Sequence, residues 1–135
     1  MLLQLNTIIV DSDPTYRQEM SEYLSSYGVE IVAQLGDLES LPAALTKAGN
    51  VQLVILNLEP HGPQWLRKLG NIPRQFQNVN FFVLSKTVDA TLLMEAMQMG
   101  VREFIPLPIN EETFTAALDR ISQHASTGKI GRAHV

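Results

Sequence analysis

Five short, continuously apolar runs recur along this chain, and their spacing restricts the fold more than any other feature. They are NTIIV (6–10), VEIVAQL (29–35), VQLVILNL (51–58), VNFFVLS (79–85) and REFIPL (102–107). Successive runs lie roughly 20–25 residues apart, the length of a strand, a helix and two loops. Runs that are apolar throughout, rather than alternating, suit strands covered on both faces, as in a parallel sheet.

The segments between the runs carry helix signals. DPTYRQEMSEYLSSYG opens with Asp13 as N-cap and Pro14 at the first helical position; Tyr16, Met20, Tyr23, Leu24 and Tyr27 keep helical spacing, and Gly28 closes it. GDLESLPAALTKAG is expected to be helical from Asp37 to Gly49, with Pro42 tolerated early in the segment. QWLRKLG reads as a short helix. VDATLLMEAMQMG places Val88, Leu92, Ala96 and Met99 on one stripe, and NEETFTAALDRISQH does the same with Phe114, Ala117, Leu118 and Ile121 behind Asn110 and two acidic residues. The result is βα repeated five times. Right-handed crossovers turn that order into an open, doubly wound parallel sheet of five strands with helices on both faces. In such a sheet the site lies beyond the carboxyl ends of the strands. The residues there are Asp11, Ser12 and Asp13; Asn57, Leu58 and Glu59; Ser85 and Lys86; and Pro106, Leu107 and Pro108.

Composition removes several classes of function. The 135 residues suffice for one core, placed at 1–124, with 125–135 (ASTGKIGRAHV) as a tail or linker toward a possible further domain. A net charge of −4 and the lack of any Lys/Arg run argue against a nucleic-acid surface. With no cysteine, disulfides, zinc thiolates and cysteine nucleophiles are excluded. No apolar stretch reaches the roughly 18 residues of a membrane span, and MLLQLN lacks the features of a signal peptide. A cytoplasmic protein without a transmembrane segment is the expectation. STGK (126–129) lacks both the spacing and the preceding strand of a phosphate loop.

IIVDSDPTYRQEM, VQLVILNLEP, VLSKTVD and GVREFIPLPI together resemble the receiver domain of bacterial response regulators, the CheY-like, flavodoxin-like fold, over about residues 4–124. The resemblance implies two acidic residues after the first strand that hold Mg²⁺, a phosphoryl-accepting aspartate at the end of the third, a Thr or Ser after the fourth, and an aromatic and a Lys on and after the fifth. Asp11 matches the first acidic position, and Ser12 falls on the second. Asn57 falls on the phosphoacceptor, Ser85 on the Thr/Ser, Phe104 on the switch aromatic and Leu107 on the Lys. An amide is a poor nucleophile at phosphorus. One carboxylate with a Ser hydroxyl is a weak Mg²⁺ site. Without metal or lysine the charge on a transferring phosphoryl group is not neutralised. The resemblance therefore implies a pseudo-receiver with no catalytic residue, metal or cofactor. Asn57 becomes a structural group free to bond Asp11, Ser12 or Ser85.

GVREFIPLPI, with TGKI (127–130) after the last helix, also resembles the receiver-like N-terminal domain of MinD-like ATPases of Flp pilus assembly, the TadZ/CpaE group. This implies a MinD-like ATPase domain in cis. In receivers the face of the fourth helix, fifth strand and fifth helix commonly dimerises or docks partners. Here it holds Met94, Met97, Met99 and Arg102, and a methionine stripe suits an adaptable interface. The expected function is a phosphorylation-independent interaction and dimerisation module, not an enzyme, that localises or regulates a pilus-assembly ATPase. The alternatives are a working receiver with unusual chemistry or a small-ligand binder using the vacated pocket. A flavin binder is a third class, disfavoured because DSDP after the first strand would repel a phosphate. Each singled-out residue also has a plain structural use: a cap for Ser85, core for Phe104, Trp65, Phe76 and Phe82, and solvated loop for Lys86 and His61.

Overall fold

The structure, a computed structural model, describes the backbone of residues 5–134 and the side chains of residues 5–122. Five strands, β1 (Asn6–Val10), β2 (Glu30–Leu35), β3 (Leu53–Asn57), β4 (Asn80–Ser85) and β5 (Glu103–Pro106), alternate with helices α1 (Pro14–Ser25), α2 (Leu41–Ala48), α3 (Pro63–Leu69), α4 (Ile72–Gln75), α5 (Ala90–Met99) and α6 (Glu111–His134). All pairings are parallel, in the order β2-β1-β3-β4-β5. This is the five-stranded, doubly wound CheY-like α/β fold.

Alternate residues of each inner strand enter different layers. Ile8, Val54, Leu56, Phe81 and Val83 pack with Leu41, Leu45, Trp65, Leu66, Leu92 and Ala96, so α2, α3 and α5 cover one face. Ile9, Leu53, Ile55, Phe82 and Leu84 pack with Leu24, Phe114, Ala117, Leu118 and Ile121, so α1 and α6 cover the other. Both faces of β1, β3 and β4 are therefore dry, which is why their sequences do not alternate.

β2 departs from that rule. It is an edge strand, half exposed along its length, with Val32 open to solvent. α2 also begins later than the spacing predicts. The Asp37 carboxylate accepts the Ser40 N–H at 2.8 Å in a turn of its own, so the helix starts at Leu41 with Pro42 in its first turn. α4 is an additional helix with no predicted counterpart, so the predicted fourth and fifth helices are α5 and α6. Val88, expected on the buried stripe of α5, precedes the helix and is exposed. Asp89 instead caps α5 through the Leu92 N–H at 2.8 Å. The last helix, expected to end at 124, continues as backbone helix to His134. The side chains of TGKI, His124 and His134 lie outside the described residues, as do residues 1–4 of MLLQLN; Leu5 is core.

Candidate functional site

The carboxyl ends of β1, β3, β4 and β5 meet over one cavity of about 670 Å³ between α1 and the β5–α6 loop. β1 delivers Asp11 there. Its main-chain N–H bonds Leu35 at 3.0 Å, which prolongs the β1–β2 ladder by one residue and fixes the side chain. The carboxylate is only 3% exposed. Oδ1 accepts the Asp13 N–H at 2.9 Å, and Oδ2 accepts Asn57 Nδ2 at 3.0 Å. Burial pushes the Asp11 carboxyl above its usual range, while the bonds from Asp13 and Asn57 pull it part of the way back.

Asn57, the last residue of β3, uses both ends of its amide. Its nitrogen serves Asp11, and its oxygen accepts the Glu59 N–H at 2.9 Å. An aspartate could fill the second role but not the first, since a carboxylate is acceptor-only when ionised. Asn57 thus ties β1 to the loop after β3 through an ordinary neutral donor. The Glu59 carboxylate extends the network by accepting the Lys86 N–H at 3.0 Å, which links that loop to the end of β4.

The remaining sequence-selected positions diverge. Ser12 bonds His61 Nε2 at 3.2 Å, and the His61 ring stacks on Trp65 at 4.4 Å between centroids. His61 is thus an exposed residue with two defined contacts. Ser85 is fully buried, and its hydroxyl is spent on the Thr87 backbone, donating to the carbonyl at 2.9 Å and accepting the N–H at 3.1 Å. It closes a turn and is bonded to neither Asn57 nor Asp11. Leu107 lines the cavity as a half-buried apolar wall. Phe104 packs half-buried against the core layer of α2, α3 and α5. Met94 and Met97 are 60% and 45% exposed, and Arg102 is exposed, whereas Met99 packs on the core and leaves the stripe.

The sequence does not single out Arg17, Met20 or Tyr23 for the site, nor the bond between Glu59 and Lys86, two positions it does place there. Arg17 donates from Nη1 to the Asp11 carbonyl at 2.5 Å, in space that a Cβ on Gly36 would crowd at 3.2 Å. Glu59 and Lys86 join two strand ends through a contact no local pattern encodes. Tyr23 and Met20 form the α1 wall; their helical spacing puts them on one stripe of α1 without saying what that stripe faces.

A family model described as the response regulator receiver domain matches residues 7–119. The chain belongs to that family. A receiver domain of an HD domain-containing protein from Pseudomonas fluorescens superposes with TM-score 0.73 at 21% identity, over 92% of this chain and 98% of that one. A chain of the CheX–CheY–BeF3–Mg²⁺ complex from Borrelia burgdorferi gives 0.75 at 19%, covering 87% and 88%. A protein of Burkholderia pseudomallei, provisionally described as pilus assembly-related, gives 0.75 at 12%, covering 91% and 92%. At these identities the likeness is one of fold. Among curated proteins, one provisionally named a two-component response regulator from Arabidopsis thaliana is 26% identical over 128 residues; the chain spans 20% of its length.

The receiver family implies a magnesium ion at this edge of the sheet, and the donors of this chain do not fit one. Both Asp11 oxygens already face N–H donors, the Asn57 oxygen faces Glu59, and Ser12 faces His61. Mg²⁺ requires several hard oxygens in near-octahedral array. Among the described residues no three acidic or histidine side chains converge as a metal cluster. No described helix is long and apolar enough to cross a membrane.

Proposed function

We propose that this receiver domain works as a protein-interaction module without phosphorylation and without an enzymatic step of its own. The observation that carries the reading is the bond from Asn57 Nδ2 to the buried Asp11 carboxylate at 3.0 Å. It puts an N–H donor where a phosphoryl acceptor would need a nucleophilic oxygen, and Ser12 leaves Asp11 as the single carboxylate of the two acidic positions after β1.

The surface for partners is α5 with the adjoining β5 and α6. Leu93, Met94 and Met97 form an exposed apolar strip there, with Arg102 beside it. The forked ion pair from Arg120 to Glu103, 3.0 Å at both contacts, fixes α6 against β5 at its border. Flexible thioether side chains adapt to a partner, and the strip suits a second copy of the chain. Its cellular role is to localise or regulate a MinD-like pilus-assembly ATPase in the cytoplasm. That assignment is supported by the GVREFIPLPI and TGKI motifs and by the fold shared with the pilus assembly-related protein of B. pseudomallei.

The test is to incubate the chain with acetyl phosphate and Mg²⁺, and separately with Mg²⁺ and beryllofluoride. Intact-mass spectrometry and amide NMR are the readouts. The expected result is no covalent adduct and no Mg²⁺-dependent shift at Asn57 or Ser85. A phosphoryl adduct, or a saturable Mg²⁺ shift of those amides, would overturn the reading.

A further inference from the structure

The cavity at the strand ends is a formed site whose chemistry differs from that of a phosphate or metal pocket. Its volume of about 670 Å³ lies within the roughly 300–1,000 Å³ of small-molecule sites. Asp11, Glu19, Glu59 and Glu111 line it against one cation, Lys86, so an anion is repelled. Much of the remaining wall is apolar: Leu84, Leu107 and Ile109 on one side, Met20 and the Tyr23 ring on the other.

Two buried groups give the cavity a polar interior. The Asp11 charge has no side-chain cation bonded to it, because the nearby Arg17 Nη1 is committed to the main-chain carbonyl. Each Asp11 oxygen accepts one hydrogen bond and retains a free lone pair. The Tyr23 hydroxyl is buried with no hydrogen-bond partner among the described residues. Its neighbour Tyr27 is held protonated chiefly by Glu111, with Tyr23 contributing, yet no contact of the Tyr23 oxygen reaches hydrogen-bond geometry. A buried carboxylate with no cation bonded to it and a buried hydroxyl without a partner are both costly to hold away from water.

We propose that this cavity binds an organic cation, an ammonium or guanidinium group on an apolar stem, with the charged head at Asp11 and the stem along Leu107, Ile109 and Met20. A guanidinium or ammonium offers several N–H donors for the free Asp11 lone pairs, and the Tyr23 hydroxyl lies in the wall of the same cavity. A bare metal ion would gain nothing from the apolar wall. The source is either a free small amine or an arginine side chain of a partner, and both present the same chemistry.

The inference rests on the reading above that the pocket does not serve Mg²⁺, and the experiment keeps the two apart. The full 135-residue chain is titrated with agmatine, with an acetylated and amidated arginine peptide, with the uncharged alcohol 1-pentanol and with Mg²⁺. Binding is followed by calorimetry and by amide shifts at Asn57, Glu59, Leu84 and Leu107. Saturable binding of agmatine or of the peptide, with shifts at those amides and none from 1-pentanol, is expected. Agmatine alone identifies a free amine as the source, and peptide binding identifies a partner side chain. Leu107→Lys, which supplies a cation from the wall itself, is expected to weaken binding at least about tenfold; Glu59→Gln weakens it less, since the head-group carboxylate of Asp11 is untouched. If neither cation binds and Mg²⁺ does not either, this inference fails and the reading of the pocket as metal-free stands. If Mg²⁺ alone shifts those amides, the earlier reading fails with it. Equal binding to the Leu107→Lys variant also overturns the proposal.

Discussion

Asn57 Nδ2 and Asp11 Oδ2 lie 3.0 Å apart and join two strands, β3 and β1, across their carboxyl ends. The contact is a neutral donor on a buried charge, and nothing else on the Asp11 side chain replaces it except the Asp13 N–H.

Asn57→Ala removes that donor and leaves Oδ2 of a carboxylate unsatisfied at 3% exposure. A loss of about 1–3 kcal/mol in unfolding free energy is expected, measured by urea titration with an unchanged m-value. A variant as stable as the parent would show that the bond does not hold the site together.

The Asp11 carboxyl gives a pH signature with a definite sign. Burial raises its native pKa above the ordinary 3.8, so between the two values the folded chain holds more protons than the unfolded chain. Its contribution to stability is therefore complete below 3.8 and declines as pH rises through the native pKa. Subtracting the unfolding free energy of Asp11→Asn from that of the parent, pH by pH, isolates the effect. The difference should fall as pH increases, and a flat or rising difference would contradict the burial argument.

Gly100 follows α5 at φ +100°, and a Cβ there would stand 3.3 Å from Pro73 Cβ on α4. Gly100→Ala should cost about 1–2 kcal/mol from left-handed strain and crowding, read as a lower thermal midpoint with native circular dichroism retained.

The exposed methionines separate docking from packing. Met94→Lys with Met97→Lys should leave monomer stability within about 0.5 kcal/mol, since neither side chain is buried. Sedimentation velocity should show self-association in the parent and not in the double variant. A parent that stays monomeric at every concentration removes the self-association part of the proposal.

Most of the fold was legible because the inner strands are dry on both sides. Ile8 to Val10, Val54 to Leu56 and Phe81 to Leu84 have no solvent face, so their sequences have no polar alternation to confuse. The failures are local. α4 spans only Ile72–Gln75, too short for a period to register, although Pro73 in its first turn was a usable sign. Asp37 has the chemistry of a helix cap and spends it on a turn. At the site, Asp11 and Asn57 were readable from their place after a strand. The partners of Ser12, Glu59 and Lys86 were not, because each lies across a loop whose path only the folded chain sets. Ser85 is offered by the sequence as a partner for Asn57 or as a helix cap, and its hydroxyl instead bonds the Thr87 backbone two residues on.

The strand order has a consequence for where the site's anchor sits in the hierarchy of opening motions. β2 is held by one ladder and can detach while the rest stays closed, whereas β3 is laced on both edges, to β1 and to β4. Amide protons of Ile55 and Leu56 should then exchange with solvent only when the whole chain unfolds, and those of Ile31 and Ala33 long before. Asn57 ends that slowest strand. Local fluctuations that fray the rim of the sheet leave its amide in place beside Asp11.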